Sequence, residues 1–163
     1  MRKPSVLMST VLAAVVCTAF TARAQSLASM ESEAASIANR YLAVWSESGE
    51  ASLAGVPYVY GPTVTFYGRN LSQRGLIDEK RRAVRRWPVR RYVHRPGTLR
   101  VICNEASRRC AARSIIDYQV ANPAAGTRAR GAATFDLGIS FAGARPVILY
   151  EAGRPLRRGD AAG

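Results

Sequence analysis

Apolar positions over residues 27–47 recur at helical spacing. Met30, Ala34, Ile37, Ala38, Tyr41, Val44 and Trp45 form one stripe, which predicts an amphipathic helix stopped by Gly49. Pro57, Gly61 and Pro62 interrupt the pattern and predict a short helix or turn over 50–61. The β-branched and aromatic run at 64–67 predicts a strand ended by Gly68. Helical spacing returns after Ser72, a natural N-cap with Leu71 and Leu76 placed to staple the first turn. Leu76, Ile77, Ala83, Val84 and Trp87 define its apolar face, and Pro88 ends it. Beyond Val89 the period changes to two. Strands are predicted over 91–95, 98–103, 110–120, 128–141 and 146–151, with turns at 122–126 and 142–144. In the longest, Phe135, Leu137, Ile139 and Phe141 face one way, and Thr134, Asp136, Gly138 and Ser140 the other. The chain from Gly153 is polar and basic and predicts a loose end.

Ahead of the first helix the pattern is of another kind. Arg2 and Lys3 precede a mostly apolar stretch over 6–20, too short to span a bilayer, and Ala22-Arg23-Ala24 follows as an A-x-A signal. This predicts a secretory signal peptide over 1–24, cleaved after Ala24, and a periplasmic or secreted mature protein. An uncleaved anchor helix is the alternative. Val16 ahead of Cys17 argues against a lipoprotein, which wants a small residue there. The remainder suits a single domain over 25–155 and a flexible basic tail over 156–163.

Charge narrows the partners. The chain carries 24 Lys and Arg against 11 Asp and Glu, and the leader removes only three of the basic residues. Such an excess favours an anionic ligand, an acidic protein or an envelope surface. Nearly all the cations are Arg and Ala is abundant, so base composition accounts for the excess equally well. Zinc-finger spacing and aromatic–basic interleaving are absent, so nucleic acid is not an expected partner. Cys17 leaves with the leader. Cys103 and Cys110 remain as a pair in an oxidising compartment and predict a disulfide closing the turn end of a hairpin. His94, the single histidine, is poor support for a metal site, and no cofactor is expected.

The order helix, connector, strand, helix, then antiparallel strands resembles the nuclear transport factor 2-like superfamily, which includes ketosteroid isomerase and polyketide cyclases. Residues 38–45, 63–68 and the closing strand pair carry the resemblance, which covers about 30–155. It implies an α+β fold in which a curved antiparallel sheet wraps two or three N-terminal helices into a cone with an internal cavity. It also implies a homodimer through the sheet face. The Arg40-Tyr41 pair is similar to that of the isomerase, with Tyr41 matching its oxyanion-hole tyrosine. The isomerase chemistry needs a carboxylate base and an acidic donor pair. The base position would fall in 64–67, which holds Thr65, Phe66 and Tyr67 and no carboxylate. Asp136, near the second donor position, alternates outward.

Lys80 is the single lysine beyond the leader and sits on the apolar face of the second helix. Two readings stay open. Its ammonium reaches into the cone cavity, to bind an anionic ligand or to act as base or nucleophile after desolvation; or its stem snorkels to the rim. Tyr41, Trp45, Tyr67 and Tyr118 are the candidate cavity wall beside it. Arg81, Arg82, Arg85 and Arg86 are the candidate basic face. His94 shows no Ser or Cys partner, and Asp117 alternates outward. The expectation is a non-catalytic extracytoplasmic domain that binds a small ligand or an acidic partner. The alternative is a cavity enzyme of the isomerase, cyclase or dehydratase type using Lys80 and Tyr41.

Overall fold

The computed structural model describes residues 26–157; the expected leader and the end of the tail lie outside the described residues. The first helix, α1, spans Leu27–Ser46, with Ser26 Oγ accepting from the Ser29 amide as N-cap. A 3-10 turn, Ala51–Gly55, leads into the short α2, Val56–Val59. Strands β1, Tyr60–Phe66, and β2, Arg69–Ser72, form a hairpin that the sequence pattern does not reveal. Tyr67 and Gly68 are its two-residue turn, with φ of 47° and 80°. Two successive positive φ values match the right-handed twist of the flanking strands. Helix α3, Gln73–Arg86, starts on the expected Ser72 cap, whose Oγ accepts from the Gly75 amide.

The remaining strands are β3, Val89–His94; β4, Arg100–Asn104; β5, Arg109–Asn122; β6, Thr127–Ser140; and β7, Val147–Ala152. They join β1 and β2 in one seven-stranded sheet of order β2-β1-β7-β6-β5-β3, with β4 beside β5. The architecture is the expected α+β, with one difference. The sheet is mixed, because β1 and β7 run parallel. α1 lies across β3, β4 and β5 on the concave face, and α3 packs on β1 and β2. Met30, Ala34, Ala38, Leu42 and Trp45 of α1 meet Ala112, Phe135, Leu137, Ile139 and Ile148 of the sheet in the core.

Three further details depart from the sequence pattern. On α3 the buried line is Leu76, Lys80 and Val84; Ala83 is exposed and Trp87 only half-buried. Arg90, four residues beyond the candidate basic face, is buried, at 5 % exposed. Residues 153–156, which follow β7, are also not loose. Thr134 donates to the Arg154 carbonyl and Leu156 to that of Ala132, so residues 153–156 pack along β6. Gly153 permits this approach, since a Cβ there would collide with the Thr134 carbonyl oxygen.

The disulfide joins Cys103 to Cys110, which stand directly opposite one another on β4 and β5. In the chain-entropy model a loop this short is worth roughly 2–3 kcal/mol.

Candidate functional site: a buried charge cluster under an aromatic cavity

One irregularity in β7 builds the site. Gly138 of β6 pairs with Tyr150, while the next residue, Ile139, pairs with Ile148. Leu149 is therefore an extra residue, a β-bulge that shifts the alternation by one. Strict alternation from the buried Ile148 would turn Tyr150 inward and Glu151 outward. With the bulge Tyr150 is exposed and Glu151 is 5 % exposed, pointing into the cone.

Glu151 meets Lys80 there. Lys80 Nζ donates to Glu151 Oε1 at 2.7 Å, to Oε2 at 2.8 Å and to Tyr41 OH at 2.9 Å. Tyr41 OH donates to Oε1 at 2.6 Å, and Tyr60 OH to Oε2 at 2.5 Å. Aromatic rings surround the ammonium: the Trp45 centroid lies 4.3 Å from Nζ and that of Phe66 5.1 Å. The ammonium has three hydrogens and three acceptors, and both carboxylate oxygens are occupied. The four side chains thus form a closed cluster whose unit charges cancel.

Burial lowers the Lys80 pKa, and the Glu151 carboxylate opposes that shift. Burial raises Tyr41 and Tyr60 well above their ordinary value, and the nearby carboxylate adds to both. The sign for stability follows. Above about pH 10 an unfolded chain ionises these two tyrosines while the folded chain keeps them neutral, so the unfolded state binds fewer protons. Their contribution is whole below pH 10 and is lost as pH rises beyond it. Lys80, with its lowered pKa, works the other way but is one group against two. Urea unfolding at pH 9, 10 and 11 is expected to show stability falling across the series. A flat or rising series would contradict the buried, neutral tyrosines.

Above the cluster lies a cavity of about 300 Å³, at the lower end of the range for small-molecule sites. Its wall brings together all five residues of the sequence-based pocket: Tyr41, Trp45, Tyr67, Lys80 and Tyr118. Phe66, Tyr92, Ile116 and Phe135 add aromatic and apolar lining, Glu151 lies in the floor, and Glu79, Arg90 and Arg154 also contribute to the wall. Tyr67 stands at the mouth, 54 % exposed, held there by the hairpin turn. Tyr118 leans over Gly131, where a Cβ would strike its hydroxyl.

The proposed basic face is different in kind. Arg81 pairs with Asp78 at 2.8 Å, Arg82 with Glu79 at 2.8 Å, and Arg85 with Glu50 at 3.4 Å. Arg86 lies over the Trp87 ring. Three of the four cations thus have acidic partners on the same surface. Asp117 and Asp136 face outward as expected, paired with Arg95 and Arg113. His94 does have a serine partner: Nδ1 lies 2.7 Å from Ser114 Oγ, a contact across β3 and β5 invisible in sequence spacing. Its ring packs edge-on against Phe135, and burial lowers its pKa. Among the described residues no group of His, Cys, Asp and Glu could hold a metal ion, and no helix is long and apolar enough to cross a membrane.

Solved structures share this architecture. A nuclear transport factor 2-like superfamily protein from Salmonella enterica superposes with a TM-score of 0.67 at 9% identity, covering 85% of this chain and 99% of its own. The chain has the nuclear transport factor 2-like fold. A candidate dehydratase of the nuclear transport factor 2-like family from Streptomyces avermitilis gives 0.65 at 6% identity, over 80% of this chain and 99% of that one. A candidate calcium/calmodulin-dependent protein kinase II association domain from Xanthomonas campestris gives 0.62 at 11% identity, over 94% and 99%. No protein-family model matches the chain, and no curated protein matches it significantly. At such identities the nuclear transport factor 2-like neighbours establish architecture, and function has to be argued from the site.

Proposed function

We propose that the domain is a non-catalytic, extracytoplasmic binding module whose cone cavity takes a small, uncharged, largely aromatic ligand. One observation carries the reading. Every hydrogen of the Lys80 ammonium is spent on Glu151 and Tyr41, so the floor offers neither a free cation for an anion nor a free base for proton transfer. The wall around this self-neutralised floor is mostly aromatic and apolar, which favours a flat apolar body with one hydrogen-bonding group. The paired arginines of α3 weaken the acidic-partner half of the expectation. The A-x-A signal and the cysteine pair support an address outside the cytoplasm. Mass spectrometry of the mature protein should find Gln25 at its N-terminus, and a retained leader would refute that part.

The enzyme reading keeps one supporting feature. Glu151 supplies, from β7, the inward carboxylate that the sequence does not show at the isomerase position, and Tyr41 touches it. Both tyrosine hydroxyls and the ammonium are hydrogen-bonded to that carboxylate, which holds it back from a substrate proton. Calorimetric titration with 2-naphthol, a neutral flat probe, tests the binding reading. Saturable binding that Ala133→Trp abolishes by filling the cavity is expected. Binding unchanged in that variant would remove the cone cavity as the site.

A further inference from the structure

A second cavity, of about 290 Å³, opens on the far flank of α1, between that helix, the 3-10 turn with α2, and the start of β7. We propose that it is a separate binding site, for a small hydroxylated carboxylate with an apolar body. Ile37, Val44, Val56, Val59 and Ile148 make its walls apolar. Within that wall Ser52 is 3 % exposed, and its Oγ has no hydrogen-bond partner among the described residues. A buried hydroxyl left unpaired is costly, so an incoming oxygen or N–H that pairs with it recovers that cost on binding.

The rim sets the sign of the ligand. It carries Arg40, Arg145 and Glu33, an excess of one positive charge. Arg145 donates to the backbone carbonyls of Pro57 and Tyr58, and so braces α2 against the β6–β7 turn. Arg40 is exposed beside the opening and presents the planar fork that suits a carboxylate. Tyr41 and Trp45 line this cavity as well as the cone cavity, so the two sites stand back to back across α1.

Methyl-detected NMR titrations of the whole chain test the proposal with three probes: 3-(4-hydroxyphenyl)propanoate, 3-phenylpropanoate, which lacks the hydroxyl, and 4-(2-aminoethyl)phenol, of opposite charge. Saturable shifts at Ile37, Val44, Val56 and Ile148 are expected from the first probe, weaker ones from the second and none from the third. Ser52→Ala should weaken the hydroxylated probe about fivefold and leave 3-phenylpropanoate unchanged. Its unliganded melt should be unchanged or higher, because an unpaired hydroxyl is gone. Arg40→Gln, an exposed change, should weaken both carboxylates. The proposal is overturned if the shifts fall on Ile116 and the cone cavity, if the amine binds as well as the acids, or if Ser52→Ala weakens both carboxylates equally.

Discussion

Replacing Glu151 by Leu is expected to cost about 3–5 kcal/mol at neutral pH. The loss is not that of a favourable pair. It arises because the Lys80 ammonium, 6 % exposed, keeps its desolvation cost without a counter-charge. Lys80→Met is expected to destabilise for the mirrored reason, since Glu151 then retains only the two tyrosine hydroxyls. A lysine snorkelling at the rim would make the same change neutral, so this variant separates the two sequence readings of Lys80. Lys80→Met with Glu151→Leu should recover most of the loss, because a buried pair exchanged for packed apolar groups is often neutral. In Glu151→Leu the lowered Lys80 pKa falls further. The unfolded state then binds more protons, and stability should climb as pH rises toward the ordinary lysine value. Urea melts of the three variants check this, and a Glu151→Leu cost under about 1 kcal/mol would contradict the closed cluster.

Arg90→Met is expected to cost about 3 kcal/mol. The Arg90 guanidinium is the C-terminal cap of α1: Nε donates to the Trp45 carbonyl at 3.0 Å and Nη2 to that of Glu47 at 2.5 Å. Nη1 donates to the Trp87 carbonyl at 2.7 Å, where α3 ends. One fork thus satisfies the open carbonyls of two helices at the base of the cone. Met keeps the stem and strands these carbonyls in a buried corner. Lysine cannot span them, so Arg90→Lys should recover little. Thermal melts check both variants; a loss below about 1 kcal/mol for Arg90→Met would show that water replaces the fork.

The same two residues show where the sequence stops being legible. Periodicity places α1, α3 and the β5–β6 ladder within a residue or two, because each buries a continuous stripe or alternates strictly. The resemblance then places Tyr41, Trp45, Lys80 and Tyr118 in one cone. Glu151 escapes because its direction depends on Leu149 being a bulge, and a bulge is settled by pairing with Gly138, eleven residues upstream. Tyr60 escapes because Gly61 and Pro62 make its surroundings read as a turn rather than the start of a strand. Arg90 looks like any other member of an arginine run; its partners are main-chain carbonyls, which spacing does not encode. His94 and Ser114 meet across strands for the same reason.

The most direct measurement is a calorimetric comparison of 2-naphthol with naphthalene-2-sulfonate on the unaltered protein. The two share a ring system and differ in charge at the polar end. A cavity floored by a self-neutralised Lys80–Glu151 pair predicts that the neutral phenol binds at least tenfold more tightly. Tighter binding of the sulfonate would mean that Lys80 offers its charge to ligands, and would contradict the account.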